Sequence, residues 1–219
     1  MPEQCVPLWE KPTLRAVAGE TLRPGGFAVT DRAAELIGVI PGWRVLDVGS
    51  GLGATVGRLR SRFGADAWGV EHSRAQIDRS SGAHVVQAQG DLLPFRNEEF
   101  KAVFCECVLS LFVEPRQGLA EFCRVLQPQG YLVLADLHAE ERGLPNGNSC
   151  AGRAVPLSVT REQVEACGFI VRLVEDHSRQ LKDLAAKLMF AGGQATGTCT
   201  GRLGYYLMIA QKGGEPHVG

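Results

Sequence analysis

Dense runs of lysine and arginine are missing from this 219-residue chain, whose 23 basic and 24 acidic side chains leave a formal net charge of −1. Binding driven by phosphate neutralisation has no compositional support, so no nucleic-acid partner is expected. No apolar run approaches the roughly 20 residues that cross a bilayer. The opening residues, MPEQCVPLWEKP, lack the basic flank and apolar core of a secretory leader. A cytoplasmic chain without a membrane partner is the expectation. Cysteine occurs seven times, but scattered and without a CxxC pair. Neither a disulfide framework nor a zinc site is expected, and no metal is assigned. No internal repeat is visible, and the length suits one α/β domain.

What is present is alternation. Residues 1–29 are rich in Pro and Gly and read as an irregular, partly helical arm. Thr30 and Asp31 are expected to open a helix with Ala33, Ala34, Leu36, Ile37 and Ile40 on its apolar side, stopped by Pro41-Gly42. Strands are expected at 44–48, 67–71, 83–88, 101–107 and 131–136. Helices are expected at 54–63, at 73–80 and at 115–126, where Leu119, Phe122, Cys123 and Leu126 share a face. Strand–helix alternation with short links implies a parallel, doubly wound sheet over the core at 30–137. Residues 138–160 read as an irregular insert, except that Thr160-Arg-Glu-Gln163 has the form of a capping box. The C-terminal part, 161–211, holds strands at 169–175 and 203–211. Between them runs an apolar stripe of Leu181, Leu184, Ala185, Leu188 and Met189, read as core packing. The tail from Lys212 is expected to be disordered.

In a doubly wound sheet, ligands sit beyond the carboxyl ends of the strands, where strand order reverses. The first strand runs into Asp47-Val48-Gly49-Ser50-Gly51-Leu52-Gly53. Its glycines permit a tight turn close to a ligand, and the following helix points free N–H groups at the same place. A P-loop is excluded because no lysine lies in the turn. A dinucleotide site is weakened but survives, since Ala54 replaces the third glycine. Asp47 argues against a pyrophosphate, which it would repel, and for a ligand with a cationic amino-acid end and a sulfonium.

The segment DVGSGLG resembles the DxGxGxG hallmark of class I S-adenosylmethionine-dependent methyltransferases. GDLLPFRNEEFKAVF (90–104) is similar to the superfamily's D-x-x-x-L-P-F-x-[DN]-x-x-F-D-x-V stretch, as found in quinone-biosynthesis C-methylases, with Lys101 in place of the usual Asp. EFCRVLQPQG (121–130) is similar to its E-x-x-R-V-L-x-P-G-G. The matches cover roughly residues 40–136. The resemblance implies a Rossmann-like, seven-stranded, mostly parallel sheet with its last strand antiparallel. It implies S-adenosyl-L-methionine as cofactor, with S-adenosyl-L-homocysteine as product, and a small-molecule methyl acceptor. It assigns cofactor binding to Asp47, Gly49, Ser50, Gly51 and Gly53, to Glu71 at the ribose with His72 flanking, and to Asp91 with Leu92 at the adenine. Glu106, where the fourth strand passes the transferable methyl, is a candidate for both cofactor and acceptor contacts, as is Ser110.

Beyond the fifth strand, His138 is the best-placed candidate base. Arg23 could clamp a carboxylate but reads first as a solvated side chain. Cys105 and Cys107, two apart on a strand, are expected to share a face. With Cys150 and Cys199 they could hold a soft metal or metalloid, although structural roles are preferred. No NPPY-like motif follows the fourth strand, where CECVLSLF stands instead. That disfavours nucleobase and protein-amide acceptors. Two other readings remain: a nicotinamide oxidoreductase on the same sheet, and a member that binds the cofactor without catalysis.

Overall fold

The computed structural model describes residues 12–80, 84–141, 149–191 and 203–213. Seven strands form one sheet: β1 (Arg44–Val48), β2 (Asp66–Glu71), β3 (Val85–Gln87), β4 (Phe100–Glu106), β5 (Leu126–Ala139), β6 (Phe169–Asp176) and β7 (Leu203–Lys212). Their order is β3-β2-β1-β4-β5-β7-β6. β7 pairs antiparallel with both β5 and β6, and the other neighbours are parallel. The expected class of sheet is therefore present. Its order reverses between β1 and β4.

Apolar residues on both faces of the central strands explain why they lie in the middle. Leu46, Val48, Val103 and Leu134 face one layer, which includes Leu119 and Phe122 of helix α5 (Pro115–Val125). Val45, Ala102, Phe104 and Val133 face the other. That second layer contains Ala33 and Ala34 of α2 (Phe27–Leu36) with Val56 and Leu59 of α3 (Ala54–Phe63). Gly64, with φ of 66°, closes α3 in the left-handed cap conformation that glycine adopts without steric cost.

Several expected boundaries move. The helix expected to open at Thr30 starts at Phe27, one turn earlier, so Thr30 and Asp31 are buried inside it. Before it, α1 (Pro12–Ala18) and a 3-10 turn at Gly19–Thr21 give the arm more order than its composition suggested. Residues 1–11 lie outside the described residues. β5 begins at Leu126, directly after α5, because Leu126 pairs with Phe100 ahead of a bulge. The capping box at Thr160 does not form. Helix α7 (Leu157–Ala166) starts after Pro156, whose carbonyl accepts the Val159 N–H at 2.9 Å, and Thr160 is a buried interior position. Within the insert, α6 (Cys150–Arg153) is helical, and 142–148 lie outside the described residues. Lys212 belongs to β7, and 214–219 lie outside the described residues. A short α4 (Arg74–Ile77) follows β2, and α8 (Ser178–Phe190) joins β6 to β7. No helix among the described residues is long and apolar enough to cross a membrane.

Candidate active site

The strand-order reversal opens onto a cavity of about 540 Å³, within the usual size of a small-molecule site. Its first wall is the turn after β1. Gly49 and Ser50 donate their N–H groups to the Val70 carbonyl at 2.8 and 2.9 Å, which ties the turn to β2. Gly49 has φ of 72°, and a side chain there would run into Val108. Glycine is required at this position on both counts. Gly53, with φ of 77°, caps α3 from just outside the cavity lining.

Asp47 is 4% exposed and lines the cavity. No hydrogen-bond donor among the described residues reaches its carboxylate. Burial raises its pKa well above the usual carboxylate range, and the neighbouring Glu106 raises it further. The nearby Arg23 charge acts in the opposite direction without reversing the rise.

Glu71, at the end of β2, behaves differently. Burial pulls its pKa up, but hydrogen bonds from His72, Ser73 and Gly51 outweigh burial, and the group ends lowered. Its Oε2 accepts the Gly51 N–H at 2.9 Å and its Oε1 the Ser73 N–H at 2.7 Å. Glu71 thus braces the glycine turn while its carboxylate edges the cavity. His72 lies 3.1 Å from Glu71 and is mostly exposed at the rim. Asp91 also lines the cavity, whereas Leu92 is 74% exposed and outside it.

Opposite the turn, Glu106 ends β4 and is buried. It pairs with Arg23 at 2.7 Å and accepts hydrogen bonds from Thr30 at 3.0 Å and Thr55 at 3.3 Å. Arg23 also donates to Thr30 and Thr55, while its Nε is buried without a partner among the described residues. Burial acts to lower the Arg23 pKa, but the charge of Glu106 prevails and raises it. The solvated reading of Arg23 is overturned, because the arm folds back and carries the guanidinium into the site. Its sequence context, LRPGG, held no periodicity that could have signalled this.

Three further expectations are corrected. His138 is absent from the cavity lining. Strand alternation sends Leu137 into the cavity and His138 to the opposite face, where its ring stands 6.3 Å from that of Tyr206 and abuts Gly204. Ser110 likewise points elsewhere, donating both N–H and O–H to Asp136 at 3.0 Å. Cys105 and Cys107 do not share a face. β4 ends at Glu106, and Cys107 adopts φ of 58°, which swings its side chain towards the α2 layer while Cys105 stays in the α5 layer. Cys150, at the start of α6, faces Cys107, and Cys199 lies outside the described residues.

The roof of the cavity comes from an unexpected source. No residue of α8 is buried, and from its stripe Leu181 alone among the described residues packs against the core. Leu181, Leu184 and Leu188 line the cavity, joined by Leu14 of α1 and Leu22. Helical periodicity reports an apolar neighbour and does not distinguish a packed core from an apolar chamber.

Residues 46–134 match the family model described as "Methyltransferase domain". This chain belongs to the class I methyltransferase superfamily. The methyltransferase-family chain is 30% identical over 191 residues to a phthiotriol/phenolphthiotriol dimycocerosates methyltransferase of Mycobacterium tuberculosis, covering 80% of this chain and 66% of that protein. It spans about half the length of the first curated relatives it matches. The [4+2]-cyclase SpnF superposes with a TM-score of 0.75 at 22% identity, covering 93% of this chain and 92% of SpnF. A phosphoethanolamine methyltransferase 2 of Haemonchus contortus, in complex with phosphomonomethylethanolamine and S-adenosylhomocysteine, superposes with a TM-score of 0.72 at 17% identity, covering 92% and 56%. At these identities the two structures show a shared fold.

Proposed function

We propose that this chain binds S-adenosylmethionine across the ends of β1, β2 and β4 and transfers its methyl group to a small, largely apolar acceptor. The observation that carries the reading is Asp47, a buried carboxylate without a donor at the lip of a glycine turn. A cationic ligand satisfies it, and a diphosphate would be repelled. The nicotinamide reading is disfavoured on that ground.

In this assignment Gly49, Ser50 and Gly51 let the backbone approach the amino-acid end of the cofactor, and Asp47 meets its positive charge. Glu71, pre-aligned by the Gly51 and Ser73 amides, offers its free lone pairs to the ribose hydroxyls, with His72 at the rim. Asp91 serves the adenine edge. The cofactor, once bound, supplies an electrophilic methyl on a sulfonium, which leaves as a neutral thioether when the acceptor attacks. The protein's share is positioning and exclusion of water. Glu106, committed to Arg23, Thr30 and Thr55, acts as a positioning residue that anchors the arm against the site, and His138 has no place as a base. The acceptor lies under the leucines of α1 and α8, which favour an uncharged apolar molecule.

The same fold in SpnF is a reminder that architecture does not dictate reaction. The experiment is calorimetric titration of the chain and its Asp47→Asn variant with S-adenosylmethionine, S-adenosylhomocysteine and NAD. One-to-one binding of the first two, weakened about tenfold or more by the substitution, supports the assignment. Binding of NAD in their place, or affinity indifferent to Asp47→Asn, overturns it. Labelled-methyl transfer to a panel of apolar acceptors then tests the reaction.

A further inference from the structure

Two cysteines on the cavity wall and the buried Asp136 beside them have no part in the methyl-transfer scheme. The sulfurs of Cys107 and Cys150 and a carboxylate oxygen of Asp136 all lie within 4.8 Å of one another. They come from three elements: the left-handed residue just past β4, the first turn of α6, and β5. Both cysteines line the cavity and are free thiols. We propose that Cys107, Cys150 and Asp136 form a binding site for one soft divalent cation of the zinc–cadmium class.

The chemistry of the set supports this. Two thiolates with one carboxylate are ligands that a borderline-soft ion accepts, and hard ions such as magnesium do not favour sulfur. Donors around a tetrahedral ion of this class stand roughly 3.5–3.8 Å apart. The observed cluster reaches that spacing by side-chain movements of about 1 Å. Asp136 is already oriented, its oxygens receiving the Ser110 hydroxyl and the amides of Ser110 and Leu137 at 2.8–3.0 Å. Such bracing is the usual support of a ligating carboxylate. Cys107 departs from strand geometry at φ of 58°, a value few non-glycine residues adopt, and this turns its sulfur out of the Cys105 layer towards Cys150. Each thiol releases its proton to solvent on ligation. The site then carries net charge −1 around a divalent ion, with the Arg23 guanidinium nearby to offset it. Three protein ligands leave a fourth position to water or another ligand, as in catalytic rather than structural sites.

The test uses reduced, metal-stripped full-length chain titrated anaerobically with Cd²⁺, read by calorimetry and by thiolate-to-cadmium ultraviolet absorption. One equivalent with two thiolates is expected. Cys107→Ser and Cys150→Ser each weaken it roughly 100-fold or more, and Asp136→Asn about tenfold. Cys105→Ser and Cys123→Ser leave it unchanged. Circular dichroism establishes that each variant is folded. Cys150→Ser sits in a short helix, so it remains informative if Cys107→Ser fails to fold. Absence of uptake by the reduced chain, or uptake that survives both Cys107→Ser and Cys150→Ser, overturns the proposal. Because the readout is binding of cadmium without cofactor or acceptor, its outcome is independent of whether methyl transfer occurs.

Discussion

At the residue scale, two neighbouring buried carboxylates have opposite fates. Glu106 is matched by a guanidinium and two hydroxyls, while no hydrogen-bond donor among the described residues reaches Asp47. Because the free Asp47 is shifted upward, a bound cation must draw its pKa back down, and at pH below the free-protein value binding releases a proton. Affinity for S-adenosylmethionine is expected to fall as pH drops below the free-protein value of Asp47, at a pH above the ordinary 3.8. It should be flat at higher pH. Calorimetry in buffers of different ionisation enthalpy measures the proton directly, and Asp47→Asn should abolish the dependence. Arg23→Met leaves Glu106 buried and unmatched, so it is expected to cost about 3–5 kcal/mol in denaturant unfolding. The double change Arg23→Met with Glu106→Leu should recover much of that loss.

At the scale of elements, α1 and α8 roof the cavity. Leu184→Asn on α8 places an amide in its apolar roof. It is expected to raise KM for the acceptor several-fold while cofactor binding, read by calorimetry, stays unchanged. No α8 residue is buried, so stability should shift by less than about 1 kcal/mol. On the other face, Asp31 of α2 holds Arg58 of α3 at 2.6 Å and Arg62 beside it. The hydrogen bond from Arg58 leads the lowering of the Asp31 pKa, against the opposing effect of burial. The contribution is complete above the unfolded value of 3.8 and disappears as pH falls through the lower folded value. Asp31→Asn should therefore cost about 1 kcal/mol at pH 7 and nothing near pH 2, by urea denaturation at each pH.

Viewed as a whole molecule, the chain disclosed its centre more readily than its edges. The strands flanking the strand-order reversal combine local glycine chemistry with runs of apolar residues, and both signals are written within a few positions. Asp47, Gly49, Gly51, Glu71 and Asp91 were legible for that reason, and the structure gathers them around one cavity. Arg23, Cys150 and the α8 leucines were not, because each is brought in by contacts between segments far apart in sequence. Periodicity placed the α8 stripe correctly and misjudged its neighbour. His138 was misread because a position at a strand end depends on the register of alternation, which the neighbouring Leu137 fixes. A ligand that binds only the folded chain should raise stability by ~2.7 kcal/mol at a hundredfold excess over Kd, a melting shift of roughly 5–10 °C. Scanning calorimetry with S-adenosylhomocysteine checks this, and Asp47→Asn should suppress it.

The ion pair between Arg23 and Glu106 makes the arm a latch as well as a wall. A chain shortened to begin after residue 23 would strip the counter-charge from the buried end of β4, so the scaffold and its vestibule depend on each other. A chain trimmed to its recognisable core would forfeit the conditions under which that core can hold its shape.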